Sequence, residues 1–373
     1  DRLQPECRIV DHDRGAYGRR LRGAAEAVHR RPHPRSHEGL SHSMETTVAG
    51  QSGFRCVPTR PSRLGFGGFG LAGVFGAFDR EDALASIHHA LARGINVVDV
   101  ARAYGPAEAI LGEALRRWDG PAPIVATKVS AVGPVTQWGL PPSVDEVFPR
   151  GHVTESTHRS LREIGVETLD LQQLHLYWPN WGVGGYWLEE LLALRDAGKV
   201  RAIGVSLPDQ RHDVGLPLVL SGTIDSVQTV INVFDPQAFD SLVPACTERG
   251  VAVIARCVLD EGGLTGTLTR DSTFGDGDYR AGYFDQGPRD RYIQRVDALR
   301  AFIPRAAGSL ASLALKFVIG HPGVTTAVVS MHRRDLVDAN LAALSEAPLS
   351  VEDWETLRRR HRWVRNFYNA KVM

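Results

Sequence analysis

From Leu64 onward, short apolar runs alternate with longer amphipathic segments, and this alternation restricts the available folds more than any other feature of the chain. Strand-like runs are read at L-G-F-G (64–67), 95–99, 124–128, 169–175, 200–205, 225–231, 251–256 and 325–329. Between them lie helix-like stretches with identifiable ends. The segment 82–93 carries Leu84, Ile87 and Leu91 on one face, has Asp79 as its N-cap and stops at Gly94. A second helix starts at Pro106 and turns Ile110, Leu111, Ala114 and Leu115 inward. Helices over 152–164 and 186–197 stop at Gly165 and Gly198, and another ends at Gly250. A helical stretch follows over 289–319, then helices over 334–343 and 351–363. Strands separated by helices form a parallel sheet, because a crossover must return the chain to the same edge. Eight such units predict an α/β fold, a (β/α)8 TIM barrel in one domain. A doubly wound sheet is the alternative architecture, but the glycines of G-F-G-G-F-G do not open a helix with the spacing of a dinucleotide fingerprint.

Residues 1–60 read as a disordered N-terminal extension and residues 61–373 as the barrel. Arg and His clusters such as Arg19, Arg20, Arg22, Arg30 and Arg31 carry almost no apolar periodicity. Six acidic residues before Met44 (Asp1, Glu6, Asp11, Asp13, Glu26 and Glu38) argue against an organellar leader, and Met44 is a candidate start. Equal numbers of basic and acidic side chains, 43 each, give no global field to attract nucleic acid or an anionic membrane. Neither partner is expected. Cys7, Cys56, Cys246 and Cys257 are too sparse for a disulfide framework and suit a cytoplasmic protein.

Three successive strand-like runs finish on or near an ionisable residue. Asp99 ends V-V-D, with Tyr104 following in a turn closed by Gly105 and Pro106; Lys128 ends I-V-A-T-K; His175 ends L-D-L-Q-Q-L-H. In a βα barrel the catalytic groups gather where the strands end. Each residue alone has a plain structural reading, as a solvated cap, a packed turn tyrosine or a core histidine. Their combination favours chemistry. A phenol has an ordinary pKa near 10, so it needs a neighbouring cation to serve as a proton donor at neutral pH. Lys128 fits that part, with Asp99 to orient the lysine and His175 to position a substrate oxygen. Trp138, Trp178 and Trp181 read as an apolar substrate wall on the same rim, although Tyr186, Trp187 and part of this cluster also suit a core. His88, His89, His152 and His158 show no metal-ligand spacing, so no metal is expected.

These segments resemble the aldo-keto reductase superfamily over roughly residues 62 to 345. The resemblance implies an Asp, Tyr, Lys, His tetrad on a barrel that binds a nicotinamide cofactor without a Rossmann domain. D-V-A-R-A-Y-G-P-A-E-A-I-L-G matches the Asp and Tyr segment, with Glu108 and Gly112 in place. By the same resemblance Ser206 and Gln228 contact the nicotinamide, and Arg256 lies beneath its ring. The run V-I-A-R-C-V-L-D-E-G-G-L-T-G, with Gly263 and Leu264, covers the pyrophosphate, and Asn340 meets the adenine. Leu207 stands where Asn is common, Ala339 replaces a usual Glu, and Ser330 and Leu336 stand where some relatives carry Lys and Arg for a 2′-phosphate. His332, Arg333 and Arg334 are the available substitutes. The implied activity is NAD(P)-dependent interconversion of a small-molecule carbonyl and its alcohol, with Tyr104 as acid/base and NADP(H) preferred over NAD(H). Alternatives are an NAD-dependent aldose or lactol dehydrogenase, acting on a sugar-like substrate, and a cofactor-binding regulatory protein with little turnover.

Overall fold

Eight parallel strands close into a barrel in sequence order. They are β1 Leu64–Gly67, β2 Val97–Asp99, β3 Ile124–Val129, β4 Leu169–Leu174, β5 Val200–Ser206, β6 Ser226–Val230, β7 Ala252–Arg256 and β8 Thr326–Ser330. The computed structural model describes residues 53–133, 142–284 and 289–363. Around the barrel run α1 Arg80–Ala92, α2 Ala107–Arg116, α3 Val144–Val147, α4 His152–Ile164, α5 Tyr186–Asp196, α6 Leu216–Ser221, α7 Leu242–Arg249, α8 Tyr279–Phe284, α9 Arg289–Ala298, α10 Leu310–Ile319, α11 Arg334–Ser345 and α12 Val351–Arg360.

Alternate strand residues point into the barrel. Val97, Ile124, Ala126, Leu171, Ala202, Ala252, Ile254 and Val328 pack there as one cluster, and Phe54 and Val57 join it. Phe54 is only 2% exposed. Residues before the expected boundary at residue 60 thus already pack against the strand residues of the barrel. A larger apolar layer fills the space between strands and helices. Burying each Val, Leu or Ile there stabilises the fold by roughly 1.5–3 kcal/mol.

The helix signals act as expected. The Asp79 carboxylate accepts the Asp82 N–H at 3.0 Å, and Gly165 and Gly250 end α4 and α7 in the left-handed conformation at φ 79° and 65°. The continuous helical stretch expected over 289–319 is instead broken. After α9 and a short 3-10 turn, Leu299–Phe302, the chain passes Pro304 and Gly308 before Ser309 caps α10 by accepting the Ser312 N–H. Proline has no N–H to continue a helix, and the serine starts a new one. The one- or two-turn helices α3, α6 and α8 were not expected, because so few residues show no period. Cys246 and Cys257 are free thiols, whereas Cys56 is disulfide-bonded, which sparse spacing alone did not foretell. Among the described residues no helix is long and apolar enough to cross a membrane.

Candidate active site

Period-two alternation lifts a second, polar layer above the apolar plug. Asp99, Lys128, Gln173, Ser206, Gln228 and Arg256 come from six consecutive strands near their C-terminal ends. At the centre the fully buried Lys128 donates from Nζ to Asp99 Oδ2 at 2.5 Å and to the Val100 carbonyl at 2.9 Å. The other Asp99 oxygen accepts Gln228 Nε2 at 2.9 Å and Gln173 Nε2 at 3.3 Å. A buried ion pair is tolerable only when its remaining donors and acceptors are met in this way.

Tyr104 stands on the turn between β2 and α2. Arg102 fixes that turn by donating to Glu108 at 2.5 Å and pairing with Glu163 at 2.8 Å, while Thr127 Oγ1 donates to Glu108 at 2.6 Å. These contacts set the half-buried Tyr104 ring with its centroid 5.0 Å from Lys128 Nζ. Phe69 packs on it at 5.0 Å, and His175 meets it edge-on at 5.4 Å and 76°. All four residues of the proposed acid/base set thus meet at the barrel mouth.

The electrostatics correct one expectation. Burial pushes the Tyr104 phenol above its usual value, Lys128 and Arg256 pull it back, and Asp99 pushes it up; the net shift is upward. Lys128 therefore offsets the desolvation of the phenol without reversing it. Burial also disfavours the charge on Lys128 itself, but Asp99 and Tyr104 more than compensate and hold the ammonium protonated. His175 is lowered to about 3 by burial and by the Lys128 and Arg256 charges. Its ring is neutral at working pH, with Nδ1 3.3 Å from Ser130 Oγ.

The other expected site residues divide. Ser206 is buried at the end of β5. Gln228 spends its amide nitrogen on Asp99. Arg256 points across the mouth to the loop after β5, donating to the Leu207 carbonyl at 2.9 Å and to Asp209 Oδ1 at 2.6 Å. Gly263 and Leu264 lie buried in a 3-10 turn of the loop after β7. His332 is 7% exposed and stacks on Phe75 at 6.2 Å. The Arg333 guanidinium is engaged by Asp335 at 2.6 Å, and Asn340 is buried at 5% exposure beneath the Ser330 carbonyl. Trp181 is a correction: at 6% exposure, packed on Phe148 and Tyr177 with Nε1 donating to the Pro142 carbonyl, it belongs to the core. Trp178 is half-buried on the rim, and Trp138 lies outside the described residues.

The model of the aldo/keto reductase family matches residues 63–361. The chain belongs to that family. It is 26% identical over 303 residues to the aldo-keto reductase YhdN of Bacillus subtilis, covering 78% of this chain and 87% of that one. It is also 26% identical over 321 residues to an NADH-specific methylglyoxal reductase of Escherichia coli, covering 80% and 96%. Among solved structures, a glycerol dehydrogenase of Gluconobacter oxydans superposes with a TM-score of 0.66 at 24% identity, covering 84% of this chain and 97% of that one, a likeness of fold.

Aldo/keto reductases require a dinucleotide, and the mouth of this barrel fits one. Arg256 Nε is buried without a partner among the described residues. The loop after β7 also leaves the backbone N–H groups of Val258, Leu259 and Glu261 without a partner among the described residues. Clustered N–H groups in such a turn form a cradle for anionic oxygens. Several site residues escaped the sequence reading. Gln173 was findable, since it lies two residues before His175, within one strand period. Phe69, Ser130 and Asp209 had no local signal, because loops brought from distant positions place them.

Proposed function

We propose that this chain is an NAD(P)H-dependent oxidoreductase that reduces the aldehyde or ketone of a small molecule to an alcohol, or runs the reverse reaction. One observation carries the reading: the Lys128–Asp99 ion pair lies against the Tyr104 ring beside a neutral His175. In the reducing direction the Tyr104 phenol gives its proton to the carbonyl oxygen. Because burial raises its pKa, the phenol is held protonated and ready to donate at neutral pH. Lys128 stabilises the phenolate left behind, and Asp99, Gln173 and Gln228 keep the ammonium in place. With Nδ1 accepting from Ser130, neutral His175 donates from Nε2 to the same substrate oxygen. A bound nicotinamide supplies or accepts the hydride at the carbonyl carbon.

Ser206, Arg256, Gly263, Leu264 and Asn340 are the residues proposed to hold the cofactor, with the unpaired loop N–H groups at its pyrophosphate. NADP(H) is the proposed cofactor and NAD(H) the alternative. Two Klebsiella pneumoniae structures with TM-scores of 0.59 are described as complexes with NADP and NADPH, whereas the E. coli relative is named NADH-specific. Arg333 reaches a 2′-phosphate only by releasing Asp335. The reading is tested by incubating the full chain with NADPH and, separately, NADH across a panel of aldehydes, ketones and aldoses. Cofactor consumption with at least one carbonyl is expected. Cofactor binding without consumption across the panel would refute turnover and favour a regulatory protein.

A further inference from the structure

Among the described residues five non-glycine residues have left-handed backbones, and four of them lie in two facing loops: Gln210 after β5, and Cys257, Asp260 and Glu261 after β7. Such conformations persist only where the surroundings enforce them. Asp260 explains part of the enforcement, since it accepts the hydroxyls of Tyr283 on α8 at 2.5 Å and Tyr292 on α9 at 2.7 Å. The result holds Glu261 in place at the barrel mouth, within the run that resembles a pyrophosphate-covering loop.

Glu261 is an odd residue to find there. Its own N–H belongs to the unpaired cradle, yet its side chain is a carboxyl that would meet an entering polyanion. Its Oε1 accepts only the Cys257 thiol, at 3.2 Å, and it forms no salt bridge among the described residues. Arg256 on β7, Cys257 and Asp260 on its own loop, Asp209 on the loop after β5, and Tyr279 and Arg280 on α8 are the charged or titratable groups around it. Arg256, which lowers the Glu261 carboxyl by its charge, is already committed to Asp209. Two like charges in a partly desolvated site repel far more strongly than in water.

We propose that Glu261 makes dinucleotide binding proton-coupled: the loop accepts the cofactor's pyrophosphate with the Glu261 carboxyl protonated and opposes it when Glu261 is ionised. This rests on the nicotinamide-cofactor reading above. Burial chiefly, with Asp260 and Asp209 in the same direction and Cys257 and Arg256 opposing, already raises the Glu261 carboxyl to about 7 in the free protein. A bound anion raises it further. By linkage, binding then takes up a proton, and affinity falls as pH rises above the free value, by up to about ten-fold per pH unit.

The test is calorimetric titration of the full chain with NADPH and NADH in buffers of different ionisation enthalpy between pH 6 and 9, for the natural sequence, Glu261→Gln and Glu261→Ser. The natural sequence is expected to take up a growing fraction of a proton as pH rises through 7, with Kd weakening in parallel. Both variants should lose that uptake and bind more tightly than the natural sequence at pH 8.5. Subtracting variant from natural sequence cancels the titration of the NADPH 2′-phosphate. Equal proton uptake and equal pH slopes in all three proteins would overturn the role of Glu261 while leaving the cofactor reading intact. Failure of all three to bind either dinucleotide would overturn the cofactor reading and this inference with it.

Discussion

A phenol buried beside a lysine is subject to opposed forces, and at Tyr104 desolvation is the larger. In the proposed reaction the lysine's contribution therefore comes when the proton leaves, as stabilisation of the phenolate, more than as acidity in the resting state. His175 illustrates the same competition with a consequence for stability. Its folded value of about 3 lies far below the ordinary 6.5. Above pH 6.5 the ring is neutral in both folded and unfolded chains, so it has no effect on the pH dependence there. As pH falls from 6.5 towards 3 only the unfolded chain gains the proton, and stability is lost at up to about 1.4 kcal/mol per pH unit. Urea unfolding at pH 7, 6 and 5 is expected to show a shallower acid loss in His175→Asn than in the natural sequence; parallel curves would contradict the assignment. The grouping of Asp99, Tyr104, Lys128 and His175 was legible because an ionisable residue ending an apolar run is visible in one dimension. Gln228's use of its amide on Asp99, and the inward turn of His332, were not, because both depend on partners about 129 and 260 positions away.

At the scale of elements, the Tyr104 turn is only as fixed as α2, and α2 is fixed by close approach to α4. Gly112 makes that approach possible. A Cβ at this position would lie 2.4 Å from the Glu163 carbonyl oxygen and 2.7 Å from that of Ile164, both backbone atoms of α4. Alanine gains about 1 kcal/mol over glycine in helix propensity, but overpacking against backbone costs about 1–3 kcal/mol. Gly112→Ala is therefore expected to lower the urea midpoint and, by shifting the Arg102–Glu108–Glu163 contacts, to reduce turnover as well. An unchanged or raised midpoint would show that α2 and α4 can separate freely. Gly112 stood out in the sequence only through the family resemblance, and its neighbour across the interface carries no signal in the chain around it.

For the whole molecule, eight repeats of one alternation were enough to predict the closed barrel, because parallel strands with helical crossovers leave few other arrangements. Local stops were harder to read: a glycine after a helix marks an end plainly, whereas the break between α9 and α10 depends on a proline, a glycine and a serine cap acting together. The indole of Trp181 shows the same limit, since rim and core differ only in what packs around the ring. The account as a whole depends on Tyr104 moving the proton while the rest of the barrel holds the cofactor. The most direct measurement is single-turnover oxidation of bound NADPH or NADH by an accepted carbonyl in Tyr104→Phe, with cofactor affinity determined on the same protein. The predicted result is a rate lower by about 10² to 10⁴ with cofactor Kd near that of the natural sequence; an unchanged rate would contradict it.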